Sequence, residues 1–175
     1  SDISMSEDCL TLNIWSPSAD QKGRPVMLYI HGGAFVTGSS SESLYDGSSF
    51  AEKHDIVVVS CNYRLGLLGL LYLGDLAGEE YAQGNCALLD QIAALHWVQD
   101  NIAAFGGDPN QVTLMGESAG AMSVGALISM PAAKGLFQRA ILESGAATSG
   151  LIPRERATQT TRAVLEKLNL SDSQV

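Results

Sequence analysis

The 175-residue chain is 46% hydrophobic and 17% charged, enough apolar material to bury a substantial core as one domain or part of one. Ten basic against 19 acidic residues give a formal net charge of −9 and a pI near 4.6, which argues against nucleic acid or an anionic membrane surface as partner, since both demand clustered Lys and Arg. No apolar run approaches the length of a membrane span, and the opening S-D-I-S-M-S-E-D has neither a basic nor an apolar leader region.

That opening lacks an initiator Met and runs from polar residues straight into a strand-like stretch, so the chain is read as a segment of a longer protein with residues missing upstream. Its three cysteines, Cys9, Cys61 and Cys86, are too few and too scattered for a disulfide framework. Cys61 ends an apolar run and is expected to be buried and inert. Cys9 is either a free thiol or the partner of a cysteine outside these residues. Sparse cysteines favour a bacterial cytoplasmic setting over a secreted one.

In chain order, Leu10 to Trp15 alternates apolar and polar and ends at Ser16-Pro17, the pattern of a half-buried strand. Val26 to Ile30 is nearly continuous apolar sequence, which predicts a strand covered on both faces, and it runs into H-G-G-A-F, His31 to Phe35. A Ser-, Gly- and Asp-rich connection follows, then a short helix near Ser49 to His54. Ile56 to Ser60 predicts a second doubly covered strand. Asn62 to Leu71 has too many glycines for a helix and too many apolar residues for a free loop, so a packed irregular segment is expected, with an acidic loop over Asp75 to Gln83.

From Asn85 to Phe105, Leu88, Ile92, Leu95 and Ile102 recur at helical spacing, with Trp97 and Val98 widening the stripe, and Gly106-Gly107-Asp108-Pro109 ends the helix. Val112 to Met115 is a strand that stops at Gly116, and a helix follows at once and stops before Pro131. Arg139 to Glu143 predicts a short strand, and Glu155 to Leu168 a polar helix before the tail N-L-S-D-S-Q-V. Strands alternating with helices predict an α/β fold with a mostly parallel sheet and helices on both faces. Active residues of such sheets gather at the carboxyl ends of the strands.

Two glycine-bearing motifs fall at such ends. In G-E-S-A-G, Ser118 sits between Gly116 and Gly120 on a strand-to-helix turn so tight that its neighbours must be small. The strained corner lifts Oγ out of the sheet to attack a carbonyl, and the N–H of Ala119 at the helix start is free for the oxyanion that forms. The alternative is that a small-residue helix start merely packs closely on the sheet. In H-G-G-A-F, Gly32, Gly33 and Ala34 offer backbone N–H groups to the same oxyanion, the alternative being an ordinary strand-to-loop turn.

These motifs, together with S-E-D-C-L-T-L-N-I-W (Ser6 to Trp15), N-Y-R-L-G (Asn62 to Gly66), G-N-C-A-L-L-D-Q (Gly84 to Gln91) and F-G-G-D-P (Phe105 to Pro109), resemble the type-B carboxylesterases, which include bacterial para-nitrobenzyl esterases and cholinesterases. The resemblance covers the chain from Ser6 onward. It implies an α/β-hydrolase fold and hydrolysis of small carboxylic esters through an acyl-enzyme, with no cofactor or metal. By the same resemblance Ser118 is the nucleophile, Gly33, Ala34 and Ala119 are the oxyanion donors, and Gly32 turns the loop. Glu117 matches an acid near the pocket, with a solvated helix-start carboxylate as the equal alternative. Arg64 and Asp90 match a structural ion pair, and Glu7 one whose arginine lies upstream. Cys86-Ala87 departs from the apolar residue and Gly common in relatives.

In this fold the triad runs Ser, then Asp or Glu, then His. All three histidines, His31, His54 and His96, precede Ser118, so the base and its acid are expected in another part of the same catalytic domain, and residues 1–175 are expected to be one partial, inactive domain. His31 is read as orienting the oxyanion loop, His96 as a helix side chain and His54 as a surface residue. The competing class is a non-catalytic cholinesterase-like adhesion module, against which the intact serine and glycines argue. A small esterase borrowing a partner chain's His is the third alternative. Acyl and alcohol preference depend on segments beyond these residues. Arg139 to Glu143 is expected to form an unpaired hydrophobic edge that drives association of the isolated chain.

Overall fold

The computed structural model describes residues 5–145 and 152–174; residues 1–4 of the polar opening and the last residue of the tail lie outside that range. Five strands form one sheet in the order β1-β3-β2-β4-β5. They are β1 (Leu12–Trp15), β2 (Arg24–Ile30), β3 (Val57–Cys61), β4 (Gly107–Glu117) and β5 (Arg139–Glu143). β1 runs antiparallel to β3 and every other pairing is parallel, so the sheet is mostly parallel.

Parallel neighbours need crossovers, and the helices supply them. They are α1 (Ser48–His54), α2 (Gly66–Leu70), α3 (Gly74–Ala77), α4 (Cys86–Asn101), α5 (Ala119–Ser129) and α6 (Arg154–Lys167). Val26, Leu28 and Ile30 of β2, with Val112 and Leu114 of β4, pack in one core with Leu95 and Val98 of α4 and Val124 and Leu127 of α5. On the other face α1 lies against β3, and Gly47 at its start fits so closely that a methyl there would stand 2.6 Å from Val58 Cγ1 and 2.9 Å from Trp15 Cε3. Helices thus cover both faces of the sheet, as expected of the α/β-hydrolase fold.

Four local expectations change. β3 is buried along its whole length, but β2 alternates, because Met27 and Tyr29 turn to a face that α1 does not reach and are only half-buried. The stretch 62–71, expected to be irregular, contains α2. Its Gly69 permits that turn, since a methyl there would fall 2.1 Å from the carbonyl oxygen of Arg64. The acidic 75–83 stretch likewise holds α3 and a 3₁₀ turn at Glu79–Tyr81. The long helix ends at Asn101, earlier than its apolar spacing implied. A 3₁₀ turn, Ile102–Phe105, carries the stripe on to Gly106, whose φ of 81° closes it.

The amino-terminal end of the central strand β2 is tied by Arg24, 6% exposed, whose Nη1 and Nη2 donate to Asp20 at 2.5 and 3.0 Å and whose Nε donates to Asp55 at 2.6 Å. Lys22 also pairs with Asp55. At one edge of the sheet β5 pairs, among the described residues, only with β4, and Ile141 is 41% exposed.

Candidate active site

Ser118 stands alone between β4 and α5 with φ 53° and ψ −118°, a conformation that costs a non-glycine residue about 1–3 kcal/mol and persists only where its surroundings enforce it. They do so here. The Ser118 N–H donates to the carbonyl of Glu143 on β5 at 2.8 Å, and its own carbonyl accepts from the Met122 N–H at 3.0 Å. A methyl on Gly116 would lie 2.4 Å from the carbonyl of Gly120, and a methyl on Gly120 would lie 2.1 Å from the Ile30 oxygen. Gly145, just after β5, is less tight but still close, with Ser118 O and Ala121 Cβ each 2.7 Å from where its methyl would be. Ser118 itself is only half-buried.

The loop after β2 reaches the same corner. A methyl on Gly32 would stand 3.2 Å from Ser118 Cβ and 2.8 Å from Glu117 Oε2, so His31 to Phe35 and the serine face one another. Gly33, Ala34 and Phe35 all have positive φ (105°, 54° and 61°). This run folds the loop back on itself, with Val36 and Thr37 both donating to Gly33 O. Among the described residues the N–H groups of Gly33 and Ala34 meet no backbone acceptor, and that of Ala119, in the first turn of α5, has none inside its helix.

His31 lies beneath this loop, 1% exposed. Its Nδ1 donates to Gly32 O at 2.8 Å, its ring stacks on Tyr63 at 4.5 Å, and Tyr63 Oη donates to the His31 carbonyl at 2.7 Å. Nε2 is buried without a hydrogen-bond partner among the described residues. Burial lowers the His31 pKa, against the opposing pull of the Gly32 carbonyl, so the ring is held neutral. Gly38 leaves room for it, since a methyl there would lie 2.5 Å from Nδ1. Tyr63 and Gly38 were missed from the sequence. The only signal for Tyr63 was its place in N-Y-R-L-G, directly after β3.

Glu117 is half-buried and shares its surroundings with Tyr29 and Tyr45, whose rings lie 5.0 Å apart. Burial, then Tyr45, then Glu117 and Glu143 push the Tyr29 hydroxyl up to about 12. Tyr45 is raised by burial first, with Glu42 and Glu117 adding to it. Arg64 and Asp90 form a two-pronged pair at 2.8 and 2.7 Å, and the Arg64 N–H adds a third bond at 3.0 Å. His54 and His96 are exposed on α1 and α4. Two concavities, of about 190 and 670 Å³, open near Trp97 and Leu12 and near Arg64 and Leu68, and neither is lined by Ser118. Among the described residues no cluster of three or more His, Cys, Asp or Glu could hold a metal, and no helix is long and apolar enough to cross a membrane.

The carboxylesterase family model matches residues 1–175, and the chain belongs to that family. It is 53% identical over 170 residues to a para-nitrobenzyl esterase of Bacillus subtilis (strain 168), covering 97% of this chain and 34% of that protein. It is 50% identical over 162 residues to cholinesterase 1 of Branchiostoma lanceolatum, covering 91% of this chain and 44% of that one. Among solved structures, a Geobacillus stearothermophilus carboxylesterase superposes with a TM-score of 0.94 at 56% identity, over 96% of this chain and 35% of that one. The chain thus spans about a third of the length of the bacterial relatives it matches.

Proposed function

We propose that these residues form part of a single catalytic domain of a serine carboxylesterase, contributing its nucleophile and oxyanion hole. Ser118 Oγ attacks the carbonyl carbon of a small ester while its proton passes to a base. Gly33, Ala34 and Ala119 donate their N–H groups to the oxygen that becomes negative, with the amino-terminal end of α5 adding its dipole. Collapse of the tetrahedral adduct expels the alcohol, which takes the proton, and water then releases the acid from the acyl-serine. One observation carries the reading: a non-glycine residue strained at φ 53°, ψ −118° on the strand-to-helix corner is a serine, half-buried, and faces a loop whose Gly33 and Ala34 amides meet no backbone acceptor among the described residues.

The base comes from outside these 175 residues. His31 has Nδ1 committed to Gly32 O, while His54 and His96 are exposed on helices that precede the nucleophile. The triad acid and histidine follow Ser118 in the rest of the domain. Glu117 sits in the same pocket as a tuning carboxylate, and Arg64–Asp90 braces the scaffold. A bacterial cytoplasmic setting is proposed on the sparseness of cysteine, three in 175 residues. Hydrolysis of p-nitrophenyl butyrate by the full-length protein and its Ser118→Ala variant tests the reading. A fall in kcat of about 10⁴-fold or more is expected, and equal rates would end it.

A further inference from the structure

α5 follows directly on the strained serine at its N-cap, yet its buried residues are nearly all small: Ala119, Gly120, Ala121, Ser123, Val124, Gly125 and Leu127. A surface of that kind packs closely but has few projections to oppose sliding or rotation against its neighbour. Among the described residues one side-chain hydrogen bond joins α5 to α4. Gln91 Nε2 donates to Ser123 Oγ at 3.2 Å. Both residues are sealed from solvent, at 0% and 1% exposure, and Gln91 Oε1 meets no hydrogen-bond partner among the described residues. A buried amide left half-satisfied is costly, and an apolar pair of similar shape would be neutral or stabilising. Its directional bond is what an apolar pair cannot supply.

Gln91 is itself held from the other side. The preceding residue, Asp90, 7% exposed, takes the two-pronged grip of Arg64, which fixes the rotation of α4 about its axis. Consecutive residues on α4 thus point in two directions, one to an anchor near the end of β3 and one to the helix of the nucleophile.

We propose that Gln91 is a positioning residue for Ser118. Through Ser123 it sets the rotation of α5, and so keeps the hydroxyl of Ser118 in register with the amides of Gly33 and Ala34. This inference rests on the reading of Ser118 as nucleophile.

The test uses the full-length protein with Gln91→Leu, Ser123→Ala, the double variant and the conservative Ser123→Thr, each measured for kcat, KM, melting temperature and rate of labelling by a fluorophosphonate. Removing both polar groups together should leave the double variant at least as stable as the parent, while kcat and the labelling rate fall together by about tenfold or more with KM unchanged. Ser123→Thr, which keeps the hydroxyl, should restore both rates. A double variant with parental melting temperature and parental kcat would overturn the proposal. If Gln91→Leu does not fold, the Ser123→Ala and Ser123→Thr pair decides the question by the same two rates. Failure of the underlying reading looks different: the parent would then label no faster than its Ser118→Ala variant.

Discussion

The tightest contact at the corner, between Gly120 and the backbone of β2, makes Gly120→Ala the most direct perturbation of the site. The added methyl would stand 2.1 Å from the Ile30 oxygen and 2.9 Å from its carbonyl carbon, where ordinary contact begins at 3.4 Å. About 1.3 Å of separation must therefore be found. β2 cannot yield it, because β3 and β4 pair with it on both edges. α5 must lift instead, taking Ser118 with it. Overpacking at the top of its usual range costs about 3 kcal/mol. Exchanging glycine for alanine inside a helix returns about 1 kcal/mol, leaving a net loss of about 2 kcal/mol. A displacement of the nucleophile by about 1 Å should cost a further 100-fold in kcat. Urea denaturation and p-nitrophenyl butyrate turnover of the full-length variant measure the two effects. An unchanged midpoint with parental kcat would refute the steric account of the corner.

Three further outcomes follow from other parts of the chain. Asp20 is held at about 2, against a usual 3.8, chiefly by its hydrogen bonds to Arg24, and Asp55 is lowered in the same way by Lys22 and Arg24. Carboxylates depressed in the folded state give stability that is present above pH 3.8 and lost as pH falls toward 2; melting temperature against pH should drop through that window, and less steeply for Asp20→Asn. The isolated 175-residue chain should self-associate through the open edge at β5, and Ile141→Lys, placing a charge on that edge, should reduce the associated fraction seen by size-exclusion chromatography with light scattering; equal profiles would count against edge pairing. Cys61 is buried and its thiol pushed up to about 12, chiefly by burial, whereas Cys9 and Cys86 are part-exposed, so a thiol-disulfide reagent should titrate two thiols in the native chain and the third only after denaturation.

What was legible in the sequence was what local sterics enforce. Gly116, Ser118 and Gly120 are spaced by the contacts that the corner imposes on its own neighbours. The β-branched run of β3 announces burial because nothing in it is polar enough for solvent except Ser60. β2 misled for the converse reason. Apolar composition reports that a residue tolerates burial, not that a layer lies over it, and Met27 and Tyr29 turn to a face where α1 does not reach. The short helices α2 and α3 were hidden by glycines that normally break helices but at Gly69 create room for one.

Partnerships between distant segments left the weakest traces. His31 was read as an orienting residue from its place in H-G-G-A-F, but the stacking of Tyr63 and the space made by Gly38 depend on a strand and a loop brought together only by the sheet. Gln91 was invisible for a sharper reason. The apolar stripe of α4 was drawn through Leu88, Ile92 and Leu95, and Gln91, on the same face three residues after Leu88, was passed over as polar, yet it is buried and Leu88 is only half so. A polar residue is read as exposed unless its partner is known: Asp90 was placed through its match to an ion pair with Arg64, whereas the partner of Gln91, Ser123, lies 32 residues later and was not recognised. The polar groups that escaped the sequence are thus the ones whose burial is explained by a partner in another element. The same dependence makes them sensitive reporters of how α4 and α5 are held together: a change at Gln91 or Ser123 alters an interhelical bond without touching the glycines, the serine or the oxyanion loop from which the site was first read.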